Sequence, residues 1–191
     1  MRQLLATLGL LVVGFLVALL PARSIQAGTA LRLDLGGLVQ RSELVVEARV
    51  LSARTVELEG WLATEYLLEV ARTFKGAHEA CRTVRLPGGL RADGSGLLIP
   101  GVPHLATGEE ALLFLEREGP RGTRMTTGLA QGRLTIRRLS DGRRQLVRDL
   151  TSMELVAPGS ERAERGDRSV LDYAACLAEI EAALNREKAP R

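Results

Sequence analysis

The chain has 191 residues, a formal net charge of +3 and two cysteines. That length suits one domain of ordinary size. At 46% hydrophobic residues the chain is too apolar for intrinsic disorder, and two cysteines are too few for a disulfide-dense scaffold.

The N-terminus differs from the rest. Arg2 gives a positive start, Leu4 to Leu20 is an apolar run, Pro21 breaks it, and Ile25-Gln26-Ala27 fills the −3 and −1 positions of a cleavage site. This layout predicts a secretory signal peptide over residues 1–27, cut between Ala27 and Gly28. An uncleaved anchor is the alternative, because the run is short for a membrane span. No Cys follows the run, which excludes a lipoprotein anchor. Cleavage removes Arg2 and Arg23 and no acid, so the net charge falls to +1. The mature chain is expected to be periplasmic or secreted, with no membrane span. Its basic residues are nearly all Arg, a usage that suggests a GC-rich bacterial genome.

Asp34 is placed to cap a short helical turn carrying Leu35, Leu38 and Val39 on one side, although Gly36-Gly37 weakens it. Leu44 to Ala53 then alternates, with Val46, Ala48 and Val50 on one face and Glu47 and Arg49 on the other. Leu62 to Phe74 repeats the pattern, with Tyr66, Leu68 and Val70 opposite Glu65 and Glu69. Period two with a charged side predicts two half-buried strands, joined across Glu59-Gly60. Cys81 to Leu86 reads as a third strand, with Val84 and Leu86 on one face and Cys81, Thr83 and Arg85 on the other.

Pro87 to Gly108 is a long Gly/Pro-rich loop that cannot be regular throughout. Loops of this length in a compact domain usually carry function. Its apolar trio Leu97-Leu98-Ile99 should pack against something, and His104 lies nearby. Glu110 to Glu116 is apolar on both faces, as a central strand covered on both sides would be. Gly128 to Arg137 and Arg144 to Asp149 predict a hairpin across Ser140-Asp141-Gly142, with Leu134 and Ile136 against Leu146. Residues 157–168 read as a polar linker. A helix is expected over 169–185, with Ser169 and Asp172 as an approximate capping box and Val170, Tyr173, Cys176, Leu177, Ile180, Ala183 and Leu184 on one face. In an oxidising compartment Cys81 and Cys176 are expected to form one disulfide, unless they are two unrelated buried thiols; the face assigned to Cys81 requires the helix to lie over that side or over the strand edge. Strands of uneven length followed by one helix predict a mainly β fold, a small antiparallel barrel over 28–156 with the C-terminal helix packed on it.

The succession Ser42-Glu43-Leu44-Val45-Val46-Glu47-Ala48-Arg49-Val50, then Tyr66-Leu67-Leu68-Glu69-Val70, Phe74-Lys75-Gly76 and Ala111-Leu112-Leu113-Phe114 resembles the netrin-like domain of the tissue inhibitors of metalloproteinases, over about residues 41–137. The resemblance implies an OB-like barrel and a protein-binding role. Those inhibitors chelate zinc through an N-terminal Cys, whereas the mature chain would begin Gly28-Thr29-Ala30, so the inhibitory wedge is not carried over.

Residue chemistry narrows the function classes. A hydrolase needs a nucleophile with a base in reach. The two histidines, His78 and His104, sit in no nucleophile motif, so an enzyme would require an unrecognised site. His78-x-x-Cys81 has a workable ligand spacing, but His104 and Cys176 supply no second pair, so no metal or other cofactor is expected. Glu109-Glu110 and Glu179 with Glu181 read as solvated acids. The Gly-rich loop lacks a phosphate-binding motif. Residues 121–148 carry eight Arg against Asp141 alone. Such a ribbon, chiefly Arg133, Arg137, Arg143 and Arg144, could bind a polyanion, although no stacking aromatics lie in it and export removes it from nucleic acid. The leading expectation is a non-catalytic module that binds an unknown protein partner through residues 87–109, with Leu97, Leu98, Ile99 and His104 as the contact residues. A protein binder predicts an exposed apolar patch there, and a polyanion binder predicts that the four arginines share one face.

Overall fold

The computed structural model describes residues 28–188 of the chain; the signal peptide expected over 1–27 lies outside the described residues. Twelve strands, two α-helices and one 3₁₀ turn follow one another in this part. The fold is mainly β, with a large antiparallel sheet and a C-terminal helix. Among the described residues no helix is long and apolar enough to cross a membrane.

The chain opens with β1 (Thr29–Leu31) and α1 (Leu35–Arg41). Asp34 caps α1, its carboxylate accepting from Gly37 N at 2.6 Å, and Leu35, Leu38 and Val39 are buried on one side. The two long strands are β2 (Leu44–Leu58) and β3 (Trp61–Lys75). Between them Glu59 and Gly60 both adopt positive φ, 49° and 82°, the two-residue turn whose twist matches that of a hairpin. β2 runs past the expected Ala53 because Thr55↔Thr64 and Val56↔Ala63 keep the ladder paired to the tip. Register shifts at Val45/Val46, Glu47/Ala48 and Val50/Ser52 bend β2 along its length.

β4 (Cys81–Pro87) lies along β3, and β7 (Glu110–Leu115) lies along the first half of β2. The loop between them holds a minimal hairpin, β5 (Gly89–Leu90) with β6 (Gly96–Leu97). After the 3₁₀ turn Leu129–Gly132 come β8 (Arg133–Arg138) and β9 (Arg144–Asp149), with Ile136 opposite Leu146 as the sequence pattern predicts. β10 (Glu154–Val156) pairs with β1 and with β11 (Ala163–Arg165), and β12 (Arg168–Asp172) leads into α2 (Tyr173–Lys188). The main sheet has the order β12-β9-β8-β7-β2-β3-β4, every pair antiparallel.

Because side chains alternate across a strand, this sheet buries two faces. On one side Val45, Leu112, Phe114, Leu134, Ile136 and Leu146 meet both helices. On the other Val46, Ala48, Val50, Tyr66, Leu68, Val84, Leu86, Leu113 and Leu115 meet one another and Leu105 of the long loop. β7 feeds both, Leu112 and Phe114 one way and Ala111, Leu113 and Leu115 the other, as expected of a strand covered on both sides. Beyond β7, Leu115 bridges Thr126, and Arg124 N donates to Arg85 O of β4 at 2.8 Å.

Four expectations require correction. Cys81 and Cys176 are both free. Cys81 is exposed on β4, one end of the sheet, while Cys176 is buried in the first turns of α2, which follows β12 at the other end; five strands separate β4 from β12. The expected linker contains β11, and residues expected to begin the helix form β12 instead. Val170 pairs with Val147 rather than joining the helix face, and Asp172 is the capping residue, accepting from Ala175 N at 2.8 Å. Finally, Glu47 and Glu65 are not on a wet side. Tyr173 donates to Glu47 at 2.6 Å and Arg144 reaches it at 3.0 Å. Glu65 lies between Arg54 and Arg85. Each carboxylate is buried with its counter-charges, the condition under which burial is tolerated.

Candidate functional site

The long loop folds back over the outer halves of β2 and β3 and lines an open cavity of about 450 Å³. Leu97, Leu98, Ile99 and His104 all line it, so the structure brings the four sequence-predicted loop residues together. Their roles differ. Leu97 and Ile99 are half-buried, whereas Leu98 is 76% exposed and stands at the rim. Leu86, Val102 and Leu105 extend the apolar wall inward from the buried cluster between the strands.

Local geometry explains how a Gly-rich segment can make a defined wall. Gly88 has φ of 95°, which an L side chain rarely adopts, and a Cβ there would stand 2.8 Å from Leu97 O. Gly96 is tighter still, since a Cβ would collide with Gly89 O. Two hydroxyls tie the loop to the hairpin. Thr64 donates to Gly88 O at 2.9 Å and Thr55 donates to Leu90 O at 2.6 Å. Further along, Glu109 is a second anchor. Its carboxylate accepts from Ala106 N at 3.0 Å, from Thr135 at 2.8 Å, and pairs with Arg133.

The polar wall is Tyr66 with His104. The phenol and imidazole Nδ1 lie 3.2 Å apart, and Leu105 N donates to the Tyr66 oxygen at 3.4 Å. Burial pushes the Tyr66 hydroxyl above its usual range, so it stays protonated and acts as a hydrogen-bonding group. Sequence reasoning missed Tyr66, Thr55 and Thr64 as site residues, because period-two alternation assigns Tyr66 to the core without saying that the core opens there. Among the described residues the hydrogen bonds of His104 run from its ring to Tyr66 and from its carbonyl to Arg133, with no carboxylate, Ser, Thr or Cys side chain bonded to the imidazole. His78 contacts Thr73 at 3.2 Å on the surface. Among the described residues no group of three or more His, Cys, Asp or Glu is placed to hold a metal ion. What the cavity offers chemically is an apolar recess with a buried hydroxyl and an exposed imidazole, suited to recognition of an apolar group carrying a hydrogen-bonding neighbour.

The arginine ribbon does not form one basic surface. Arg133 is engaged with Glu109 and with His104 O, on the face of β8 that carries Thr135. Arg144 lies on the opposite face, stacked 3.8 Å from the Tyr173 ring centre and paired with Glu47. Arg143 folds onto Asp141 in the turn, and Arg137 is exposed. Comparison with family models and with curated proteins returned no match to this chain.

Proposed function

We propose that this protein is an exported, non-catalytic binding module that engages another protein, in the cell envelope or outside the cell, through the loop-lined cavity at residues 87–109. The observation that carries this reading is the convergence of Leu97, Leu98, Ile99 and His104 on one apolar recess with Leu98 left in solvent. A large apolar side chain at a cavity rim gives a partner an anchor at small ordering cost. The partner feature that fits is an apolar side chain flanked by a backbone or side-chain group able to bond Tyr66 or His104.

The same proposal includes a netrin-like, OB-type barrel. Pairing leads from Arg54 to Glu65, from Glu65 to Arg85, by one hydrogen bond from Arg85 to Arg124, and from the Arg124 segment through Glu116 back to Glu43. That circuit leaves β2 at Arg54 and returns at Glu43, just before the strand begins, the stagger that a tilted barrel requires. The cavity then sits at the barrel mouth, a common place for ligands. Export rests on the sequence of the N-terminus alone, Arg2 followed by the Leu4 to Leu20 apolar run, Pro21 and the Ile25-Gln26-Ala27 cleavage site.

The test is capture from a cell-envelope fraction, with the chain and its Leu98→Asp variant as parallel baits. A protein held by the first and lost from the second, at equal thermal stability, is the expected outcome. Equal recovery by both baits contradicts the reading.

A further inference from the structure

The two ends of the seven-stranded sheet are finished differently. At β4 the neighbouring segment supplies a bond, Arg124 N to Arg85 O. At β12 no other strand or loop among the described residues bonds the outer backbone groups of Arg168 and Val170, while Asp172, as the cap of α2, gives its carbonyl to the first turn of the helix. Leu150 N donates to Asp167 O at 2.9 Å, which fixes the alternation of the ladder. Asp167, Ser169 and Leu171 turn their backbone groups toward β9, and Arg168, Val170 and Asp172 turn theirs away. The same alternation puts Ser169 and Leu171 on the half-buried face of the sheet and Val170, 59% exposed, on the other.

We infer that β12 is a homodimer edge, pairing antiparallel with β12 of a second copy about a two-fold axis at Val170. Only a register centred on Val170 sets outward-facing residues opposite one another along the whole strand. It places Val170 against its own symmetry mate and Arg168 against Asp172 of the second copy. Both end pairs are then of opposite charge, which favours the pairing, whereas like charges would oppose it. Arg168 is free to make this contact, because its present partner Asp149 is at 3.9 Å and both side chains are half in solvent. Asp172 spends Oδ1 on capping α2 and keeps Oδ2. A second copy is also the occupant that an open strand edge recruits without any further complementary surface, and an isologous contact closes on itself. This surface is separate from the cavity, so the dimer would present two cavities.

The test is the mass of the full protein in solution across a concentration series, read by light scattering, with two variants. Val170→Pro removes an outward N–H and no bond to β9. Arg168→Glu places two like-charged pairs across the axis and is expected to weaken association about tenfold. The expected result is twice the monomer mass for the parent chain at high concentration, with both variants shifted to monomer at unchanged circular dichroism. Should Val170→Pro unfold, Arg168→Glu alone decides. A parent chain that is monomeric at every concentration overturns the inference, as does a dimer that survives Arg168→Glu.

Discussion

The two buried faces of the sheet are made by neighbouring residues of the same strands, yet they are closed in different ways. On the helix side, Val45, Leu112 and Phe114 are covered by α1 and α2, and the cover is fastened by charge. Tyr173 of α2 donates to Glu47 of β2, and Arg144 of β9 pairs with that carboxylate while stacking on the phenol. Lys75 adds a second tie, reaching Val39 O and Glu187. On the loop side, Val46, Val50 and Leu113 are covered by other strands and by the Leu105 end of an irregular segment. That cover is fastened by two threonine hydroxyls, Glu109 and close glycine contacts, and it leaves a cavity open. The lesson is a division of labour: one face sets the stability of the sheet, and the other can vary its surface residues at small cost.

Changes that break the comparison fall in a clear order. Phe114→Ala opens a hole in the helix-side core, where the ring is fully buried, and should cost about 4 kcal/mol in chemical denaturation. Glu47→Ala leaves Arg144 and Tyr173 without their shared partner and should cost about 3 kcal/mol, measured the same way. Tyr173→Phe removes one hydrogen bond and keeps the packing, so about 1–2 kcal/mol is expected. Burial, and then Glu47, push the Tyr173 pKa up to about 12. A raised folded pKa gives stability that is complete below the usual value of 10 and is lost as pH rises toward 12, so alkaline unfolding should flatten in Tyr173→Phe. Glu65 has the opposite sign. Hydrogen bonds from Arg54, and then Arg85, lower its pKa, so its contribution is present above its usual value of 4.5 and fades as pH falls below that; Glu65→Gln should show a shallower acid loss. Leu98→Asp, on the loop side, should change stability by no more than about 0.5 kcal/mol.

Much of this division was legible in the residues. The switch from period two in Leu44–Ala53 to an unbroken apolar run in Glu110–Glu116 predicts which strand is covered on both sides. Asp34 and Glu59-Gly60 act locally, so their cap and turn could be read directly. The fastening was not legible. Glu47 looks solvated beside Arg49, because its partners Arg144 and Tyr173 lie 97 and 126 residues away. β12 was hidden by a competing pattern, since Val170 falls at helical spacing from Tyr173 and Ser169 imitates a cap. At the cavity, the exposed half belongs to the loop and could be found as an apolar trio among glycines. The inner half, Tyr66 with Thr64 and Thr55, is ordinary strand sequence until the loop folds over it.

Placing a photoreactive residue at position 98 of the full protein, with position 137 as the matched control, is the most direct test of the proposed binding role. After irradiation in cells, the expected result is a discrete covalent adduct with one envelope or secreted protein from position 98 and none from position 137. An adduct from position 137 with none from position 98 would contradict it.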